Sequence, residues 1–251
     1  MSDILTSQAD GILTITFNRP DKKNALTSAM YAVLADALEA ADTDPAARVI
    51  LFAGNGGAFT AGNDLQDFLN NPPQGDNTPV FRFLRAISTA SKPLIAAVSG
   101  VAVGVGTTML LHCDLVYAGE SAKLSLPFVN LALVPEAASS LLLPAMIGHH
   151  RAAELFMLGE AFTPQTAKDY GIVNAIFPDD RLLAEATAVA AKLAAKPPTA
   201  MRLTKQLLKR TKGDVAGQMA LEGEHFRSQL TSAEAREAMT AFFEKRPPKF
   251  G

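Results

Sequence analysis

The sequence is poor in several features that would narrow its chemistry quickly. It has one cysteine, Cys113, in 251 residues. A single thiol excludes an intrachain disulfide framework and fits a reducing compartment. Charge bias is also missing: 23 Lys and Arg stand against 25 Asp and Glu, a formal net charge of −2. No general attraction to nucleic acid or to an anionic membrane is therefore expected. The opening MSDILTSQADG has neither a basic start nor an apolar core, and the closing KFG is no peroxisomal address, so a cytoplasmic location is expected. There is no G-x-S-x-G elbow, and Ser139–Ser140 have no sequence context for activation. No metal-ligand spacing occurs. SGVAVGVGTT (99–108) runs G-xxx-G-x-G rather than G-x-G-x-x-G, and no Gly-Lys-Ser/Thr follows, which argues against a dinucleotide or phosphate loop. The longest apolar stretch, 124–147, could span a bilayer, but it contains Glu136, Asn130 and three prolines. Several short buried elements are expected there instead.

What is present reads as an α/β core followed by helices. GILTITF (11–17) alternates as a half-buried strand, and NRPDKKN after it is turn chemistry. Thr27 can cap a helix whose apolar face holds Met30, Val33, Leu34, Ala37, Leu38 and Ala41. RVILFAG (48–54), KPLIAAVSG (92–100), DLVYAG (114–119) and KLSLP (123–127) read as strands, with a helix over 80–90. PPQGDNTP (72–79) is an irregular insertion. Beyond about residue 179 the pattern is helical over 181–195, 198–210, 214–229 and 231–244. A division into a core, 1–195, and a helical C-terminal region, 196–251, follows. The lysines and arginines at 196, 202, 205, 209 and 210 fall at helical spacing and read as a solvated face.

Two loops can present free backbone N–H groups. Gly104 and Gly106 stand just before a helix, where they allow either ligand approach or tight strand–helix packing. GGAFTAGND (56–64) places Gly62 among small residues, and Asn63 or Asp64 can begin a helix carrying Leu65 and Phe68. A pair of convergent amides is what an oxyanion hole requires. His112 reads as a satisfied core histidine, His149 and His150 as a helix start, and Cys113 as core. Glu136 is the only formally charged residue between 124 and 147. After Pro135 it can be an ordinary helix-start glutamate. Flanked by Leu133, Val134, Leu141 and Leu142, it can equally be a desolvated carboxylate with its pKa raised toward general-base values.

In this order, NRPDKKNAL (18–26), AFTAGNDL (58–65), KPLIAAVSGVAVGVGTTMLLHCDLVYAG (92–119), AKDYGIVNAIFP (167–178) and FFEKRPPKF (242–250) make the chain resemble the crotonase superfamily, the enoyl-CoA hydratase/isomerase family. The resemblance covers essentially the whole chain. It implies a spiral of ββα turns with a helical C-terminal region that assembles a homotrimer or a dimer of trimers. It also implies an acyl-CoA thioester as substrate and no cofactor beyond the CoA the substrate carries. By position, the oxyanion donors would be the backbone N–H groups of Asn63 and Val105, where the family usually has glycine at the second place. Lys22, Lys23, Ala25, Ala61, Gly62, Asp64, Leu65, Gly104 and Phe128 would border substrate or CoA. Asp64 reads more as a helix cap than as a catalytic group. Phe243 and Lys245 would close a neighbouring subunit's CoA pocket.

The acids depart from the hydratase pattern. Thr108 stands where a hydratase's first glutamate would be, and Phe128 where the second would be. Glu136 falls where the Δ3,Δ2-enoyl-CoA isomerase branch keeps its single acid, in a similar L-x-P-E-x-x-S-S context. An enoyl-CoA isomerase is therefore expected, with Glu136 catalytic. The alternatives are a 2-enoyl-CoA hydratase, a ring isomerase of aromatic-acid catabolism, or a non-catalytic binding protein of the same fold.

Overall fold

The computed structural model describes residues 2–71, 77–209 and 232–250. The helix expected over 214–229 and most of the 72–79 insertion lie outside the described residues, as does Arg210. Asp10 and Gly11 both take positive φ, 51° and 78°. They turn β1 (Ile4–Ala9) back along β2 (Ile12–Phe17) as an antiparallel hairpin. Two consecutive positive φ angles match the twist of a two-residue hairpin, and Asp-Gly supplies them at low cost. The sequence reading omitted β1, because five of its six residues are exposed and polar alternation there is weak.

The remaining strands are β3 (Val49–Gly54), β4 (Leu94–Val98), β5 (Val101–Val103), β6 (Leu115–Gly119), β7 (Lys123–Ser125) and β8 (Ala175–Phe177). The large sheet runs β1-β2-β3-β4-β6-β8 and is parallel from β2 onward, while β5 and β7 pair in parallel as a second sheet. The chain thus visits the large sheet, then the small one, then a helix, and repeats: this is the spiral of ββα turns. At the corner between β4 and β5, Gly100 has φ 54°, and a Cβ there would fall 2.0 Å from the Gly57 carbonyl oxygen. Only glycine fits that crossing. β8 lies before the helical region expected beyond about residue 179 and is a strand not singled out from the sequence. Asn174 anchors it, exchanging hydrogen bonds with the Val116 backbone at 2.7 and 2.8 Å.

Alternation along the central strands feeds two cores, one on each face. Ile50 and Phe52 of β3 pack with α1 (Ser28–Thr43) and α3 (Pro79–Thr89). Val49, Leu51 and Ala53 face α8 (Leu182–Ala194), which presents Leu182, Ala186, Ala190 and Ala194 at four-residue spacing. Thr27 caps α1 by accepting from the Met30 N–H at 3.3 Å. The buried stripe of α1 holds Tyr31 and Ala35 and not Val33, which is exposed. Of the face expected from sequence, Met30, Leu34, Leu38 and Ala41 are buried and Ala37 packs against the core.

α9 (Pro198–Leu208) carries the basic stripe, and two of its lysines contradict the solvated-face reading. Lys205 is buried, pairs with Asp114 at 2.8 Å and donates to the Lys92 carbonyl at 2.6 Å. Lys209 donates to the His112 carbonyl at 2.6 Å. Lys196 and Arg202 are exposed, as expected. The last described helix, α10 (Ala233–Phe243), meets α9 through Glu234, which accepts from Thr199 N and Oγ1. Lys245 lies just beyond α10 and is exposed; the Phe243 side chain is outside what is described. Among the described residues no helix is long and apolar enough to cross a membrane.

Asn24 joins its own turn, 19–24, to the loop that carries Asn63. It is fully buried at φ 58°. Its Oδ1 accepts from Arg19 N at 2.7 Å, and its Nδ2 donates to the carbonyls of Asn55 and Ala58 at 2.9 and 2.7 Å. Replacing it by alanine orphans these buried groups and leaves a non-glycine residue in the left-handed region. Asn24→Ala is expected to cost about 2–4 kcal/mol of stability, read as a lower urea midpoint at unchanged slope.

Candidate active site

Two backbone N–H groups are left over when the loops finish pairing. Thr60 N–H donates to Val101 O and Val103 N–H to Thr60 O, each at 3.0 Å, which fixes the 58–64 loop against β5. On its other side, Leu26 N–H donates to Gly62 O and Asp64 N–H to Leu26 O, both at 2.8 Å. The residue between, Asn63, must therefore point its N–H away from Leu26, and no acceptor among the described residues takes it. Gly62 has φ 86°, and a Cβ there would lie 2.7 Å from Val103 O, so this loop rests directly on the end of β5.

Val105 opens α4 (Val105–Thr108), where a first-turn N–H has no partner within the helix. Gly104 before it has φ 56° with open space where a Cβ would stand, whereas a Cβ on Gly106 would meet Thr60 Cγ2 at 2.7 Å. Gly106 permits close packing, while Gly104 leaves open space at the mouth of α4.

Glu136 lies in the turn before α5 (Ser139–Ile147), not in its first helical turn. Its carbonyl accepts from Ser139 N and Ser139 Oγ at 3.0 and 2.6 Å, and Ala137 and Ala138 follow in left-handed conformation, φ 54° and 55°. The helix-start explanation therefore does not apply. Nor do its sequence neighbours desolvate it: Leu133, Val134 and Leu141 are 51, 79 and 63% exposed. The side chain instead turns inward, where the fully buried Thr108 hydroxyl donates to Oε1. Burial raises the Glu136 pKa above the ordinary glutamate value, and the Thr108 hydrogen bond partly opposes the rise.

Thr108 stands three residues after Val105, so the acid abuts the helical turn that carries one of the two free amides. The other is close too. Tyr31 Oη donates to Asn63 Oδ1 at 2.5 Å. Burial, and next the charge of Glu136, hold the Tyr31 phenol well above its usual range. The turn is braced from behind by His112, whose Nε2–H donates to Ala137 O at 2.8 Å. Burial lowers the His112 pKa, which keeps the ring neutral. His112 is thus the satisfied core histidine expected of it, and a brace as well. Burial pushes the Cys113 thiol up to about 12, as an unreactive core group requires.

A cavity of about 770 Å³ opens beside the two amides. Of the residues proposed from sequence, Lys22, Ala25, Ala61, Gly62, Asn63, Asp64, Leu65, Gly104, Val105 and Phe128 line it. Lys23 does not; it is exposed, with its carbonyl accepting from Ala61 N–H at 2.9 Å. Glu136 does not border the cavity either, its carboxylate being turned onto Thr108. Asp64 caps α2 (Leu65–Asn70) through Gln66 and Asp67 N–H and pairs with Arg19 at 2.6 Å. That engagement holds its pKa below the ordinary aspartate value. Arg19 and Tyr31 were not singled out from sequence. Each acts through a partner more than thirty residues away, 45 for Arg19 and 32 for Tyr31, and no local pattern marks such a pairing. Among the described residues no cluster of three or more His, Cys, Asp or Glu could hold a metal ion.

Comparison with known proteins identifies the family. The enoyl-CoA hydratase/isomerase family profile matches residues 7–251. The chain is 35% identical over 255 residues to the 2,3-dehydroadipyl-CoA hydratase of Escherichia coli, covering 100% of this chain and 99% of that protein. It is 35% identical over 214 residues to the peroxisomal enoyl-CoA delta isomerase 3 of Mus musculus, covering 83% and 67%. A crystal structure of an enoyl-CoA hydratase/isomerase from Pseudoalteromonas atlantica superimposes with a TM-score of 0.81 at 45% identity, covering all of both chains. The chain belongs to the enoyl-CoA hydratase/isomerase family.

The Thr108 hydroxyl favours the ionised carboxylate, so removing it raises the Glu136 pKa further. In Thr108→Val the Glu136 carboxyl is therefore expected to titrate at higher pH than in the wild type, followed by its carboxyl infrared band across pH.

Proposed function

We propose that the protein is an enoyl-CoA isomerase that moves a 3,4 double bond to the 2,3 position of an acyl-CoA thioester. The observation that carries this reading is the half-buried acid Glu136, hydrogen-bonded to Thr108 on the turn that begins at Val105. The family resemblance supports it by putting Thr108 and Phe128 at the two places where a hydratase would carry glutamates. A hydratase must activate water and deliver its proton, and neither a threonine nor a phenylalanine there can serve as the acid or base. An isomerase needs one proton removed at C2 and one returned at C4, and one carboxylate can do both.

Deprotonation at C2 sends an electron pair into the thioester, building charge on its oxygen. The Asn63 and Val105 N–H groups would stabilise that oxyanion, each donor contributing about 3–4 kcal/mol to lowering the barrier. The dienolate then takes the proton back at C4, the 2,3 double bond forms, and the carboxylate is restored. Glu136 Oε2 has no hydrogen-bond partner among the described residues and is the atom proposed for the transfer. Phe128 and the exposed Leu131 and Leu133 give the cavity an apolar side suited to a fatty chain. Arg19 and Lys22, also on the cavity wall, suit the polar and anionic parts of CoA. The reaction as proposed uses no group beyond that CoA. A trimer is proposed on the family resemblance, with the exposed Leu141, Met146, Met157 and Leu158 as apolar surface available to it.

Glu136→Gln is expected to lower 3-enoyl-CoA isomerisation by roughly 10²–10⁴-fold. Its stability should move the other way. A carboxyl whose folded pKa is raised contributes most when protonated and loses that contribution as pH rises through the folded value. The neutral amide is therefore expected to match or exceed wild-type stability at neutral pH, with the advantage vanishing on acidification. Unchanged turnover in this variant removes Glu136 from the mechanism. Fast hydration of crotonyl-CoA by the wild type, followed by loss of the conjugated absorbance, would replace the isomerase reading with a hydratase.

A further inference from the structure

Tyr31 is a buried polar group for which the reaction as described has no use. It sits on α1, fully buried, with its ring tilted against Phe83 at 5.4 Å between centroids. A phenol has one proton, and here that proton goes to Asn63 Oδ1. Asn63 is the residue whose backbone N–H is proposed as an oxyanion donor. Its carboxamide is planar, so an acceptor oxygen pinned by Tyr31 fixes the direction of the Nδ2 amino group. No acceptor among the described residues takes that amino group, and Asn63 lines the cavity. Tyr31 also lies close enough to Glu136 for the acid's charge to bear on the phenol.

We infer that Tyr31 is a positioning residue: its hydroxyl locks the Asn63 carboxamide so that both Asn63 donors, backbone and side chain, are held rigid toward the oxygen on which negative charge develops. The inference rests on the isomerase reading for its substrate but not for its geometry, since any reaction of this site that passes through a thioester enolate uses the same donors. A rigid donor matters most when charge is forming, so the effect belongs in kcat rather than in substrate binding. Tyrosine suits the task because burial keeps it neutral. Its proton remains on the hydroxyl over the whole working pH range.

The test uses the full-length protein with 3-hexenoyl-CoA for isomerisation and hexanoyl-CoA in D2O for exchange at C2. Tyr31→Phe keeps the ring packing and is expected to lower kcat about 10-fold with KM within twofold, and to slow exchange by a similar factor. Asn63→Ala, which keeps the backbone N–H, is expected to lower kcat comparably. In the double variant the second substitution should add less than a twofold loss. Additive losses, or an Asn63→Ala kcat equal to that of the wild type, would overturn the inference, as would a Tyr31→Phe enzyme with wild-type kcat. If Tyr31→Phe does not fold, Asn63→Ala alone still decides by its kcat. Exchange without isomerisation in the wild type would end the isomerase reading and leave the Tyr31 comparison intact on the exchange rate. A wild type that does neither ends both.

Discussion

An ionisable acid without a counter-ion does not stay inside a protein for nothing, and the contact between Glu136 and the Thr108 hydroxyl is what holds it there. A desolvated carboxylate costs several kcal/mol unless something satisfies it. An arginine or lysine would satisfy it fully and abolish its basicity. One neutral hydroxyl satisfies it in part, and a proton-transfer base requires that balance. The acid must be comfortable enough to ionise, yet uncomfortable enough to accept a proton from carbon.

The scaffold answers a second demand, that two amide groups from distant parts of the chain be left without partners side by side. Parallel bridging of the 58–64 loop to β5 at Thr60 and to Leu26 at Asn63 consumes the neighbouring donors and acceptors, so that the Asn63 N–H is left facing away from Leu26. Gly104, in a conformation that only glycine takes readily, ends β5 and begins α4 within a single residue. The amides are available because their neighbours are fully engaged. Mobility is not needed, and the buried Asn24, bonded to Arg19 in its own turn and to Asn55, Ala58 and Phe59 ahead of Asn63, restrains the approach to the first of them.

The legibility of these features in the sequence followed the range of the interactions. β2, β3, β4, β6 and β7 and helices α1 and α3 were readable from apolar period and from Thr27, because a strand or helix advertises its buried face locally. β1 and β8 were not: one is an exposed edge, and the other is three residues held by Asn174 and by its neighbour strand. The Asp10–Gly11 turn was the signal that could have revealed the first. Glu136 was legible as an anomaly, yet the reason given for its desolvation was wrong. Leu133, Val134 and Leu141 are exposed, and the carboxylate turns away from them onto Thr108, 28 residues earlier. Lys205 and Lys209 misled for the mirror-image reason, since a helical stripe of lysines looks solvated until an aspartate or a carbonyl across the fold meets it. Tyr31 was invisible as a functional residue because only the folded chain brings its hydroxyl to Asn63.

The place held by Thr108 bears on how chemistry diverges on this scaffold. A carboxylate at that position would stand against Glu136 at hydrogen-bonding range, and two acids so close cannot both ionise near neutrality; they would share one proton, and the shared proton would spoil each as a base. An acid at position 108 would therefore titrate together with Glu136 as a coupled pair and no longer leave it a lone base.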